Sequence, residues 1–213
     1  MRRSVISIPA IVVLVFAAAL GLPPFHGAGW FWDLANGLGF ASLAGLLVLF
    51  VSSAKPIGVT AHKHLGFAAF GFAVAHILML LLGDGAVVTY LRTGAPVYMW
   101  VGLVATALFI ALLWHSVQPL RTTLHGNFSA FGWWHRWLAI VCLGLAVWHI
   151  AASQFYLRTL PQVLVICLFA AGIVMRPLIK NYLIQPKPNS WLVYGLASAF
   201  ACILFILLRN YPL

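Results

Sequence analysis

The stretch HKHLGFAAFGFAVAH, residues 62–76, has a counterpart in HRWLAIVCLGLAVWH, residues 135–149. Each opens and closes on a histidine: His62 and His76 in the first, His135 and His149 in the second. Each lies in an apolar segment of helix length. An imidazole in a membrane interior is costly unless it has a partner. Two pairs at one spacing on two helices are what a stack of two haems requires.

The surrounding chain points to a membrane. Of its 213 residues 64% are hydrophobic and only 7% charged, so the fold class expected is an all-α integral membrane protein. Twelve Lys and Arg stand against two acids, a formal charge of +10. In a soluble protein that excess would suggest nucleic acid. Here the basic residues fall between apolar segments, so membrane topology explains them, lipid is the expected surrounding, and no nucleic-acid partner is expected. The only acids are Asp33 and Asp84, which leaves no residues for carboxylate relays or paired-acid hydrolysis. Cys142, Cys167 and Cys202 form no CxxC or CxxCH, which removes zinc sites, iron–sulfur clusters and covalent c-type haem attachment. No GxGxxG follows a strand and no P-loop is present.

Seven spanning helices are read at about 5–22, 33–53, 61–82, 97–117, 134–154, 160–179 and 190–209, each near the ~20 residues a bilayer requires. Arg2 and Arg3 ahead of a short apolar run also fit a signal peptide, the competing reading of the first segment. The breaks carry Pro and Gly: Leu22-Pro23-Pro24, Lys55-Pro56, Gly83-Asp84-Gly85, Gln118-Pro119 and Pro186-Lys187-Pro188. Arg2, Arg3, Lys55, Lys63, Arg121, Arg136, Arg176, Lys180 and Lys187 fall on one flank; Arg92, Arg158 and Arg209 fall on the other. By the positive-inside rule the first flank is cytoplasmic, with the N-terminus inside.

Helix parity makes the third and fifth segments parallel, so His62 is level with His135 and His76 with His149. A step of 14 residues is ~21 Å and returns to within ~40° of one face. The positions between the histidines on that face are Gly66, Ala69 and Ala73 in one helix and Ala139, Cys142 and Ala146 in the other. All are small. Close helix packing also selects small residues, but it does not select four ionisable groups at matching depths. Zinc would want four converging ligands, whereas each pair offers two. Two trans imidazoles are the axial set of a low-spin haem, so His62 with His135 and His76 with His149 are read as ligands of an inner and an outer haem iron.

His64 lies ~120° off the face of His76, so His62 is preferred as inner ligand. Arg136 and Lys63, beside the inner histidines, suit haem propionates as well as they suit snorkelling; Arg158 is the outer equivalent. His115 and His125 are placed near the inner side, and His26 in an outer loop. The aromatic stretch Phe25 to Trp32 suits a docking surface or an interfacial anchor.

His62-Lys63-His64-Leu65-Gly66 followed by His76 resembles the HR-x-x-G…H helix of the ferric reductase-like transmembrane family. Leu113-Trp114-His115-Ser116 through Leu120-Arg121, then Trp134-His135-Arg136 and His149, is similar to that family's next two helices. The family includes ferric reductases, NADPH oxidases and the haem-binding membrane subunit of the periplasmic methionine sulfoxide reductase system, whose short architecture is the nearest in kind. The resemblance implies a bundle of six to seven transmembrane helices enclosing two stacked b-type haems, with a core over residues 60–180 of a single domain spanning 1–213. This chain has Lys63 where the family usually has Arg, and the helix at 190–209 exceeds the usual six. No flavin–nucleotide domain like that of the oxidases is expected within these 213 residues.

The function expected is transmembrane electron transfer through an oxidoreductase subunit of the inner membrane. A cytoplasmic flavin reductase or a quinol donates, so flavin or quinone enters with the donor, and a periplasmic redox partner accepts. The alternatives are a self-sufficient ferric or oxygen reductase at the outer haem and, ranked third, a haem or metal transporter.

Overall fold

The computed structural model describes residues 7–22, 25–52, 59–118, 120, 123, 126–175 and 189–211. All regular structure among them is helical: α1 Ile8–Leu20, α2 Trp30–Ser52, α3 Val59–Gly83, the short α4 Gly85–Thr89, α5 Val97–Val117, α6 Phe128–Ser153, α7 Leu160–Val174 and α8 Ser190–Asn210. Five of these, α2, α3, α5, α6 and α8, are long and apolar enough to cross a membrane, the character of an integral membrane protein. α1 and α7 are apolar but have 13 and 15 residues, about 20 and 22 Å of rise against the ~30 Å hydrocarbon core. The described residues thus hold five spans of full length where seven were expected. The bases Arg2, Arg3, Lys55, Arg121, Arg176, Lys180 and Lys187, on which the orientation count leans, lie outside the described residues, as does His125.

Cap chemistry places the helix ends. α6 starts six residues before the expected position 134 because the Asn127 side chain accepts the Ala130 N–H at 2.8 Å, just after Gly126 turns at φ +81°. At α7, Thr159 and Gln162 form a capping box. The Gln162 amide also donates to the carbonyls of Ala18 (2.9 Å) and Tyr156 (3.2 Å), tying the end of α1 to the start of α7.

α2 is the central helix. Its apolar window is 67% buried, against 17–22% for the other four spans. It packs on α1, α3 and α8, while α5 packs chiefly on α6. Small residues permit that crowding. A Cβ on Gly45 would lie 2.5 Å from both the Ala69 Cβ and the Tyr194 hydroxyl, and that hydroxyl donates to the Ala41 carbonyl at 2.6 Å. Phe16, Phe40, Tyr156 and Phe205 interlock around α2, with ring centroids 5.4–6.1 Å apart.

The last helix is fastened by charge. Asp33, in the first turn of α2, meets Arg209, in the last turn of α8, at 2.9 Å, and both are buried. Each charge sits at the helix end whose dipole favours it. The Asp33 carboxylate also accepts from Tyr156 Oη (3.0 Å), Asn210 Nδ2 (2.8 Å) and the Ala28 N–H (3.2 Å). The Arg209 guanidinium donates to the His26 carbonyl and lies 4.7 Å from the Tyr156 ring centroid. Burial, and then the Asp33 carboxylate, push the Tyr156 hydroxyl well above the usual tyrosine range, so it serves here as a donor.

Candidate functional site: two histidine pairs

α3 leans on α2 and α6 leans on α5, so α3 and α6 face each other across a cavity. The cavity holds about 1380 Å³ of empty space, part of it open to the surroundings. It is lined by His76 and Ala73 from α3, by Cys142, Ala146 and His149 from α6, and by faces of α2 and α5. Its walls are mainly apolar, with Asn36, Tyr98 and Ser153 among the polar exceptions.

His76 and His149 are held alike. The Nδ1 of His76 lies 2.8 Å from the Ala35 carbonyl on α2, and that of His149 lies 2.7 Å from the Tyr98 carbonyl on α5. A carbonyl oxygen only accepts, so Nδ1 carries the proton in both rings. In the neutral imidazole that leaves Nε2 with its lone pair, the arrangement of metal-ligating histidines whose other N–H is held by a carbonyl. Each ring rests on a glycine four residues after its carbonyl. A Cβ on Gly39 would lie 3.2 Å from His76 Nδ1, and one on Gly102 would lie 2.7 Å from His149 Nδ1.

At the other end of the same two helices, the rings of His62 and His135 have centroids 6.3 Å apart and planes at 60°. Phe131 stacks on His135 at 5.6 Å. The buried Nδ1 of His135 has no hydrogen-bond partner among the described residues. His64 turns away, its ring edge-on to Trp191 at 6.3 Å.

The six small positions divide. Ala73, Cys142 and Ala146 line the cavity. Ala69 is buried against Gly45 of α2, and Gly66 is buried 3.4 Å, from its ideal Cβ position, beside Leu113 of α5. Ala139 is half-buried against the core. The Cys142 thiol donates to the Ala105 carbonyl at 3.4 Å, which joins α6 to α5. Among the candidate propionate partners, Arg136 and Lys63 are exposed, and Lys63 lies over the Phe67 ring at 5.9 Å. Arg158 Nε donates to the Phe155 carbonyl at 3.2 Å, within its own loop.

Three features escaped the sequence reading. Gly39 and Gly102 had a signal, a glycine inside an apolar helix, but nothing local says which neighbour needs the room. The segment after Gly83 was read only as a break. It forms α4, and Val87, Tyr90 and Leu91 wall the cavity beside His76. The Asp33–Arg209 pair had the signal of a lone acid and a lone base at the ends of apolar helices.

Among the described residues no group of three or more His, Cys, Asp and Glu is placed to hold a metal ion. The rings of His62 and His135 lie 6.3 Å apart, and His76 and His149 line one cavity. Comparison with known protein families, with curated proteins and with solved structures finds no match to this chain.

Proposed function

We propose that the protein carries electrons across a membrane through two b-type haems, one on His62 and His135 and the other on His76 and His149. The observation that carries this reading is the shared geometry of His76 and His149. Both commit Nδ1–H to a helix carbonyl and keep the Nε2 lone pair, and both line one cavity. A bare ion would ask for three or four protein ligands, and no such group is present among the described residues. A porphyrin supplies its own equatorial donors and asks the protein for two.

The chain's own residues fit that demand. His62, His76, His135 and His149 would hold the two groups, and the carbonyls of Ala35 and Tyr98 would raise the donor strength of the second pair. Ala73, Cys142 and Ala146 leave space beside it, and Phe40 and Phe109 keep the wall apolar. When bound, haem supplies reversible one-electron chemistry at iron. The resemblance of residues 60–180 to ferric reductase-like helices points the same way. On the positive-inside reading, the His62–His135 site would face a cytoplasmic flavoprotein or a quinol as donor, and the His76–His149 site would face an acceptor outside, such as a periplasmic oxidoreductase.

A difference spectrum of the purified protein, dithionite-reduced minus oxidised, tests this. Low-spin b-type bands amounting to about two haems per chain are expected. A colourless protein sinks the proposal.

A further inference from the structure

Gly39 and Gly102 occupy one place in two separate helix pairs. In an α-helix the carbonyl of residue i accepts the N–H of residue i+4, and the Cβ of i+4 tilts back toward that carbonyl. Ala35 and Gly39 stand in this relation on α2, and Tyr98 and Gly102 on α5. With glycine at i+4 the flank of the carbonyl is open, and in both cases a histidine from the facing helix occupies it. The coincidence has four parts: the carbonyl, the glycine four residues on, the Nδ1 contact under 3 Å, and the position of the histidine in its own His-x13-His repeat.

We propose that Gly39 and Gly102 are positioning residues for the cavity's ligand pair: they let the His76 and His149 Nδ1–H groups lock onto the Ala35 and Tyr98 carbonyls, which turns both Nε2 atoms to the cavity. The consequence at iron rests on the two-haem reading; the locked tautomer does not. A carbonyl-bound Nδ1–H makes the imidazole a stronger donor and favours the oxidised metal. Loss of that bond therefore raises the midpoint potential of this site, or frees the ligand.

The two positions predict graded effects. An alanine Cβ at 102 would sit 2.7 Å from His149 Nδ1 and 2.9 Å from Cε1, so the ring must move. At 39 the distances to His76 are 3.2 and 3.3 Å, so a few tenths of an ångström suffice. Gly71 on α3 and Gly144 on α6 are controls on the same helices as the two histidines, since a Cβ there meets nothing within 4 Å.

The experiment compares full-length Gly39→Ala, Gly102→Ala, Gly71→Ala and Gly144→Ala with the unaltered protein. Two readouts are taken: 15N NMR of labelled histidine in the dithionite-reduced protein, which reports a protonated, hydrogen-bonded Nδ1, and a spectrally monitored redox titration. Gly102→Ala is expected to abolish that signature at one histidine, and either to remove one of the b-type components or to shift its midpoint upward. Gly39→Ala should do the same more weakly, and the two controls should follow the unaltered protein. If Gly102→Ala keeps the signature and both components at their original potentials, the proposal is overturned. Equal losses in all four variants also overturn it, because they indicate general packing. If every protein is colourless while Gly102→Ala still loses the histidine signature, the positioning role stands and the haem reading falls.

Discussion

Arg209 and Asp33 are 176 positions apart and meet at 2.9 Å, both shielded from solvent. The pair joins the C-terminal turn of α8 to the N-terminal turn of α2, and Tyr156 closes it from the loop before α7. It is the polar lock at the cavity end of the bundle, since Tyr156 also lines the cavity.

Removing one partner of such a pair leaves the other charge buried, a loss of about 3–5 kcal/mol. Asp33→Ala should therefore lower the thermal midpoint in detergent sharply. The double replacement Asp33→Leu with Arg209→Met should recover much of the loss, because no charge then remains to be desolvated. A single variant that melts like the unaltered chain contradicts the assignment.

His62 and His64 are two residues apart but face different neighbours, His135 and Trp191. His62→Ala is expected to remove one b-type component, whereas His64→Ala leaves the spectrum intact. The reverse outcome assigns the ligand to His64.

His76→Ala and His149→Ala should each remove the second component and leave the first partly intact, because the pairs are ~21 Å apart along α3 and α6. The check is the reduced-minus-oxidised spectrum with haem extracted and counted. Spectra indifferent to both substitutions exclude these ligands.

Gly45 touches α3 and α8 at once. Gly45→Ala should cost about 1–3 kcal/mol by overpacking. Ala69→Gly in the same chain should relieve part of this, because the added methyl would lie 2.5 Å from the Ala69 Cβ. Additive costs in a thermal-unfolding cycle speak against the contact.

The positive-inside reading is open to thiol labelling in a Cys167→Ser background, since Cys142 and Cys202 are buried and Cys167 is half-buried. Cysteine at Arg92 or Arg158 should react with a membrane-impermeant reagent added to intact cells, and cysteine at Arg136 should not. The opposite pattern inverts the orientation and with it the direction of electron flow.

Much of the bundle is legible in the chain because a bilayer imposes a length and a polarity on every span. Residues 97–117 form α5 to the residue, and α2, α3 and α8 depart from expectation by three residues or fewer at either end. The start of α6 was missed because cap chemistry at Asn127, not hydropathy, decides it. Helical periodicity sets His62 and His64 on different faces, and the structure gives them different neighbours, His135 and Trp191.

Hydropathy and the doubled His-x13-His spacing were sufficient for an all-helical membrane chain with two histidines on one stripe of each of two helices, since both follow from the repeat of a single helix. What they leave open concerns which helix lies beside which. Ala69 and Ala73 share a stripe, yet Ala69 packs on Gly45 while Ala73 lines the cavity, because α2 fills one part of the groove and leaves the other open. The seats of His76 and His149 belong to the same class. A ring on α3 finds a carbonyl on α2, and a ring on α6 finds one on α5, each exposed by a glycine 37 or more positions distant in sequence. Such contacts depend on packing between helices, and no periodicity within one helix encodes them.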